Sequence, residues 1–180
     1  MGRLFSLRGT MRQADNAIGT ENLLIDYVSP DRERAWRIEG AWMWPVECRG
    51  DMGADGTGMM VAQGCLHTDT IKWNSFNELN DPSDNRTCAW YQQQYSQRSQ
   101  SAVFDFIVPN GVNIHDNRFL VDPDTLVTKE LYLSLSTTRD GTTSPDRLWG
   151  WLVLLREEKV TPSQSLFSQI KGMGQDVVST

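Results

Sequence analysis

Apolar and polar side chains alternate along much of this chain, and the alternating stretches are separated by turns rich in glycine, asparagine and aspartate. Trp36, Ile38, Gly40, Trp42 and Trp44 fall on every second position, with Arg37, Glu39 and Met43 between them. That period predicts a half-buried strand with an aromatic inner face, which Pro45 ends or confines to a sheet edge. Leu131, Leu133 and Leu135 alternate in the same way against Tyr132, Ser134 and Ser136. Apolar runs over 22–28, 59–67, 102–108 and 117–122 predict further strands, and 88–95 a weaker one because Gln92, Gln93 and Gln94 interrupt it. Leu148 to Leu155 is apolar on both faces, the pattern of a strand buried centrally in a sandwich.

Turn chemistry separates these runs. Pro30-Asp31, Asn110-Gly111 and Asp140-Gly141 are turn signals, residues 49–58 hold four glycines and two aspartates, and 72–86 is rich in Asn and Asp. About eight strands at this spacing predict an all-β, antiparallel β-sandwich or barrel rather than alternating strands and helices. Two short helical termini are added. Thr161-Pro162-Ser163-Gln164 is a capping box with proline at the first helical position, and Leu166, Phe167, Ile170 and Met173 follow it as an apolar face. Leu4, Leu7, Met11, Ala14 and Ile18 fit a weaker helical stripe that Gly9 and Thr10 interrupt. The organisation expected is an N-terminal arm or weak helix over 1–20, a sandwich domain over 21–160, and a short helix and tail over 161–180.

Composition narrows the function classes. The chain has 180 residues, 39% hydrophobic and 22% charged, with a net charge of -6. It holds enough material for a core without disulfides or a structural metal. No apolar run approaches the roughly 20 residues of a membrane helix, and Arg8 breaks the N-terminal apolar stretch before a secretory core develops. The acidic balance excludes a strongly basic DNA-binding domain. Charge is uneven, however: Arg3, Arg8 and Arg12 lie in a segment with no acid, which makes them the candidate contacts to phosphate.

Positive signals for catalysis or a cofactor are lacking. Cys48, Cys65 and Cys88 are odd in number and lack CxxC spacing, so they read as small thiols in a reducing compartment. His67 and His115 have no ligand-spaced companions. Asp51, Asp55, Asp81, Asp84, Asp122 and Asp124 sit in glycine-, asparagine- or proline-rich turns, where aspartate bonds its own backbone. Gly53, Gly56 and Gly58 do not make a phosphate loop. Arg49-Gly50-Asp51 and Asn85-Arg86-Thr87 match short integrin-ligand and glycosylation patterns that arise often by chance. Of the seven tryptophans, Trp36, Trp42, Trp44, Trp73, Trp90, Trp149 and Trp151, at least five are expected in core or interface packing.

The C-terminal half, Asn117-Arg118-Phe119-Leu120-Val121-Asp122-Pro123-Asp124-Thr125-Leu126-Val127 followed by Leu131-Tyr132-Leu133, resembles segments of small coat (capsid) proteins of environmental, largely marine, DNA viruses. Leu152 to Glu157 and Val160-Thr161-Pro162-Ser163-Gln164 extend that resemblance, which spans roughly residues 84–176. It implies a jelly-roll sandwich that self-associates into a homo-oligomeric shell around a genome, is found in the virion, and assembles inside the host cell. It implies no enzyme and no cofactor. Leu166, Phe167, Ile170 and Met173 are then the candidate subunit contacts, and Arg3, Arg8 and Arg12 the candidate contacts to viral nucleic acid. The chain lacks the long Arg/Lys-rich arm of many viral coats. A carbohydrate- or receptor-binding β-sandwich module of a virus or phage is the alternative, and a glycan hydrolase using Asp122 or Asp124 a more distant one.

Overall fold

The computed structural model describes residues 2–13, 19–27, 33–48, 59–71, 79, 81, 83–100, 103–107, 117–137 and 147–173; for 47, 48, 59, 60, 95–100, 103–107, 147, 169 and 171–173 it describes the backbone alone. Ten strands and one helix run in chain order: β1 (Leu4–Gln13), β2 (Gly19–Asp26), β3 (Arg34–Cys48), β4 (Met59–His67), β5 (Thr87–Gln100), β6 (Val103–Ile107), β7 (Leu120–Val121), β8 (Leu126–Val127), β9 (Glu130–Thr137), β10 (Arg147–Lys159) and α1 (Pro162–Met173). They build two antiparallel sheets. The first has the order β1-β10-β3-β8; the second has β2-β9-β4-β5-β6, with β7 also paired to β5. With β6 and β7 set aside, successive strands alternate between the sheets except for the β4–β5 hairpin within the second sheet, and the last strand lies beside the first. That is the doubly wound Greek-key order of a jelly roll, so the chain is an all-β, jelly-roll-like sandwich.

The core lies between the sheets. Met11 of β1, Ile38, Ala41 and Met43 of β3, and Trp149, Val153 and Leu155 of β10 meet Leu66 of β4, Tyr91 of β5 and Leu131, Leu133 and Leu135 of β9. Phe119 closes one side, its N–H donating to the Ala41 carbonyl and its ring 5.1 Å from that of Tyr91. Thr137 Oγ1 donates to Gln13 Oε1 at 2.8 Å, a satisfied polar pair at the buried end of β1.

Three expectations change. First, the N-terminal segment expected as an arm or weak helix is strand β1, antiparallel to β10 from Leu4↔Arg156 to Gln13↔Arg147. Its period is two: Phe5, Leu7, Gly9 and Met11 turn inward while Leu4, Ser6, Arg8, Thr10 and Arg12 turn outward. Ten ladder pairs outweigh the interrupted helical stripe. Second, β3 does not keep one aromatic face. A register shift opposite Leu154/Leu155 adds a residue between Ile38 and Gly40, and a bulge of this kind sends the following side chains to the other face. Trp36 and Ile38 therefore face the core, whereas Trp42 and Trp44 face outward. Third, β10 is central within its sheet, but its second apolar row, Leu152 and Leu154, is half-buried on the outside.

The C-terminal helix forms as its sequence predicts. The Thr161 backbone N–H donates to Gln164 Oε1 at 3.0 Å and the Gln164 N–H to Thr161 Oγ1 at 3.3 Å, a reciprocal capping box. Among the described residues, no helix is long and apolar enough to cross a membrane.

Candidate functional site

The two sheets present their outer faces very differently. On the second sheet, alternation turns Glu21 of β2, Cys65 and His67 of β4 and Tyr132 and Ser134 of β9 away from the core. The segment after β4 then folds back over them. Ile71 and Leu79 pack on Cys65 as a second small core. Thr68 N–H donates to the Arg86 carbonyl, Arg86 Nη1 donates to the Thr70 carbonyl, and Arg86 and Asp84 form an ion pair at 2.7 Å.

Beneath that cover is a polar cluster that the sequence did not reveal. His67 is fully buried, its ring stacked on Tyr132 with centroids 5.4 Å apart. Nδ1 lies 2.5 Å from the Asp69 carbonyl, which fixes the proton on that nitrogen in the neutral ring. Nε2 lies 2.7 Å from Ser134 Oγ and 3.5 Å from Glu21 Oε2, and Ser134 Oγ lies 3.2 Å from the same Glu21 oxygen. Burial pushes His67 down to about 4 and raises Glu21, so near neutral pH the imidazole is uncharged.

Serine, histidine and a carboxylate invite comparison with a hydrolytic triad, but the roles do not fit. A triad needs serine on one ring nitrogen and the carboxylate on the other. Here both partners sit at Nε2, and Ser134 is fully buried. Cys65 is likewise inert: burial, with Cys88 and Glu21 nearby, raises its thiol well above the ordinary range. Cys88 is raised mainly by burial, and its Sγ donates to the Leu66 carbonyl at 3.2 Å. Both have the character of buried structural thiols; the side chain of Cys48 lies outside the described residues.

The carboxylates proposed for acid–base work are engaged in turns. Asp122 Oδ1 accepts from the Asp124 N–H at 3.0 Å and its other oxygen from the Thr125 hydroxyl. Asp81 Oδ1 accepts from the backbone and hydroxyl of Ser83. Asp51 and Asp55, the turns at Pro109-Asn110-Gly111 and Arg139-Asp140-Gly141, Trp73 and His115 lie outside the described residues. No group of three or more His, Cys, Asp or Glu able to hold a metal ion occurs among the described residues.

The outer face of the first sheet has a different chemistry. The register aligns Arg8 of β1, Leu152 of β10 and Trp42 of β3 in one row, and an isolated bridge pairs Trp42 with Arg118. Arg118 lies with its guanidinium 5.7 Å from the Trp42 ring centroid. The neighbouring row is Thr10, Gly150 and Trp44, and the next pairs Arg12 with Leu148. Both outer indoles lean over glycine. A Cβ on Gly150 would lie 2.8 Å from Trp44, and one on Gly40 2.6 Å from Trp42. Glycine at these two positions lets each half-buried ring rest against backbone.

The opposite end of this face is electrically closed. Arg156 pairs with Glu39 at 3.0 Å, and Arg37 with Glu158 at 2.7 Å. Arg37 also donates to the Pro123 carbonyl. Arg3 lies beyond that end, its guanidinium 4.9 Å from the Phe5 ring. The three N-terminal arginines therefore do not share an arm: Arg8 and Arg12 stand on the outer face of a strand, away from Arg3.

The candidate contact residues on α1 are also placed. Leu166, Phe167 and Ile170 are 47%, 75% and 52% exposed, while among the described side chains of the helix Ser165 is buried. The side chain of Met173 lies outside the described residues.

No protein-family model and no curated protein matches this sequence. Solved structures do. The chain is similar to VP1 of Trichodysplasia spinulosa-associated polyomavirus, at 11% identity over 88% of this chain and 96% of that one, with a TM-score of 0.50. A second structure of that protein, in complex with sialylated precision glycooligomers, matches at 11% identity and a TM-score of 0.43, covering 86% of this chain and 94% of that one. At such identities the likeness establishes the sandwich fold alone.

Proposed function

We propose that the protein is a structural coat subunit that self-associates into a shell, the virion coat of a DNA virus. The observation that carries the reading is α1. A monomer gains nothing by holding Leu166, Phe167 and Ile170 in water on a helix whose capping box fixes its start. A neighbouring subunit would bury them, and apolar anchors of this kind form the centre of subunit interfaces. The jelly-roll strand order supports the same reading, because polyomavirus VP1 is a capsid protein with that fold. A shell subunit needs rigid sheets and neighbour contacts and no active site.

The test is size-exclusion chromatography with light scattering on nuclease-treated protein, followed by negative-stain microscopy. The full chain is expected in uniform, closed assemblies. Phe167→Asp, or removal of 161–180, is expected to leave a folded subunit that assembles poorly. A full chain that remains a 20.4 kDa monomer across salt and pH sinks the reading, as does a truncation that assembles as well as the parent.

The second reading is a carbohydrate-binding module, and the half-buried, outward-facing Trp42 and Trp44 favour it, because sugars stack on indole faces. Quenching of tryptophan emission by neutral or sialylated oligosaccharides would support it.

A further inference from the structure

We propose that the outer face of the first sheet binds single-stranded nucleic acid, with Trp42 and Trp44 stacking bases and Arg8 and Arg118 holding phosphates. The coat reading supplies the biological setting; the chemistry stands on the geometry of the face. Proteins that hold single strands without reading sequence combine a cationic track with aromatic platforms, and both parts are present here in register. Arg8, Leu152, Trp42 and Arg118 form one row across three strands and the bridged residue beside them, roughly 14 Å at the usual strand spacing. A cation therefore flanks the aromatic and apolar strip on each side. Trp42 and Trp44 are two residues apart on one strand, about 7 Å along it, which is about twice the rise of a stacked base. That spacing suits two bases of an unstacked single strand and not neighbours within a duplex.

Charge separates this ligand from the other candidates. The chain carries a net charge of -6; on this face Glu39 and Glu158, at the β10 C-terminal end, are each bonded to an arginine, and the register sets Glu47 in the row of Arg12 and Leu148. Among the described residues, neither Arg8 nor Arg118 has a carboxylate within ion-pair distance. An acidic chain that keeps arginines on both flanks of two indoles matches a polyanion with π-faces. A neutral sugar would use the indoles and leave the arginines idle. The glycines point the same way: Gly40 and Gly150 let the rings settle on the sheet as a low platform, which an extended strand can cross without meeting a wall.

The experiment measures fluorescence anisotropy of a labelled oligothymidylate of about 20 nucleotides. It uses full-length, nuclease-treated Phe167→Asp protein, whose subunits are kept apart if they assemble through α1. Expected are binding at low salt, quenching of tryptophan emission by the oligonucleotide, and a steep loss of affinity as salt rises. Arg8→Glu with Arg118→Glu should weaken binding at least tenfold and flatten the salt dependence. Trp44→Leu, which keeps an apolar cover over Gly150, should weaken binding roughly tenfold and leave the salt dependence unchanged, because stacking carries no counterion. Circular dichroism confirms folding of each variant. The proposal is overturned by no oligonucleotide binding, by heparin competing as an equal with tryptophan emission unchanged, by variants that bind like the parent, or by quenching with neutral oligosaccharides alone. Shell assembly of the parent is scored separately by light scattering, so loss of oligonucleotide binding with assembly intact rejects this inference and leaves the coat reading standing.

Discussion

The second sheet's outer face carries the reactive residue types, histidine, serine, cysteine and glutamate, and residues Thr68, Thr70, Ile71, Leu79 and Arg86 of the chain pack and bond over them. The first sheet's outer face carries tryptophan, leucine and arginine; Trp42 and Trp44 are half-buried there, and among the described residues Arg118 lies with its guanidinium 5.7 Å from the Trp42 ring centroid. Strand alternation is the same on both. The difference lies in whether the polypeptide supplies a lid. Under a lid, Ser134 and His67 serve only to satisfy one another, and burial drives both Cys65 and His67 toward their neutral forms. Without one, Arg8 stays exposed and the indoles stay half-buried. Chemistry that looks catalytic is thus confined to the closed face, and chemistry that looks adhesive to the open one.

The largest effect expected from breaking this contrast is removal of the lid's anchor. Leu79 is fully buried against Cys65 and Ile71, away from the main core. Leu79→Ala should cost about 3 kcal/mol in urea unfolding, through lost burial and the cavity left behind. It should also move the His67 titration, followed by NMR, up from about 4 toward the ordinary histidine value, because water reaches the ring. A loss below about 1 kcal/mol with an unmoved titration would show that the segment is not packed as described.

Acid is the next probe. His67 titrates near 4 when folded and near 6.5 when unfolded, so the unfolded chain takes up the proton first. The stability this group contributes is fully present above pH 6.5 and is lost as pH falls toward 4, at most about 3 kcal/mol. Glu21 acts in the opposite sense: its folded pKa is raised, so it favours the folded state as pH falls through that value and offsets part of the loss. A net fall of about 1 to 3 kcal/mol between pH 6.5 and 4 is expected, and His67→Gln should flatten it. An unchanged slope in that variant would assign the pH dependence to other groups.

Most of the fold could be read from local patterns. Alternation placed Leu131, Leu133 and Leu135 on the core face, the Thr161–Gln164 capping box began α1, and aspartate's turn preference explains Asp122. What could not be read depends on distant partners. Gly9 looks like a helix breaker, yet a Cβ there would lie 2.8 Å from Trp151, so its strand role follows from β10, more than a hundred residues away in sequence. The bulge after Ile38 arises in pairing with β10, and without it Trp42 and Trp44 would have faced the core. Glu21 and Ser134 are 113 residues apart, and only sheet order brings them together with His67. The candidate face was legible residue by residue, through Arg8, Arg118, Trp42 and Trp44, but not as one surface.

The smallest stability effect sharpens the contrast furthest. Arg8 is exposed on the outer side of β1 and, among the described residues, has no carboxylate within ion-pair distance. Its place opposite Leu152 is set by the backbone register and survives truncation of the side chain. Arg8→Ala should therefore change unfolding free energy by no more than about 0.5 kcal/mol, while Leu79→Ala on the closed face costs several times that. If the open face is an interaction surface, the order reverses when binding is measured: Arg8→Ala weakens oligonucleotide binding and Leu79→Ala, at a pH and temperature where it stays folded, does not. Equal losses of stability in the two variants would mean that Arg8 is built into the sandwich, and that the two faces differ in composition but not in role.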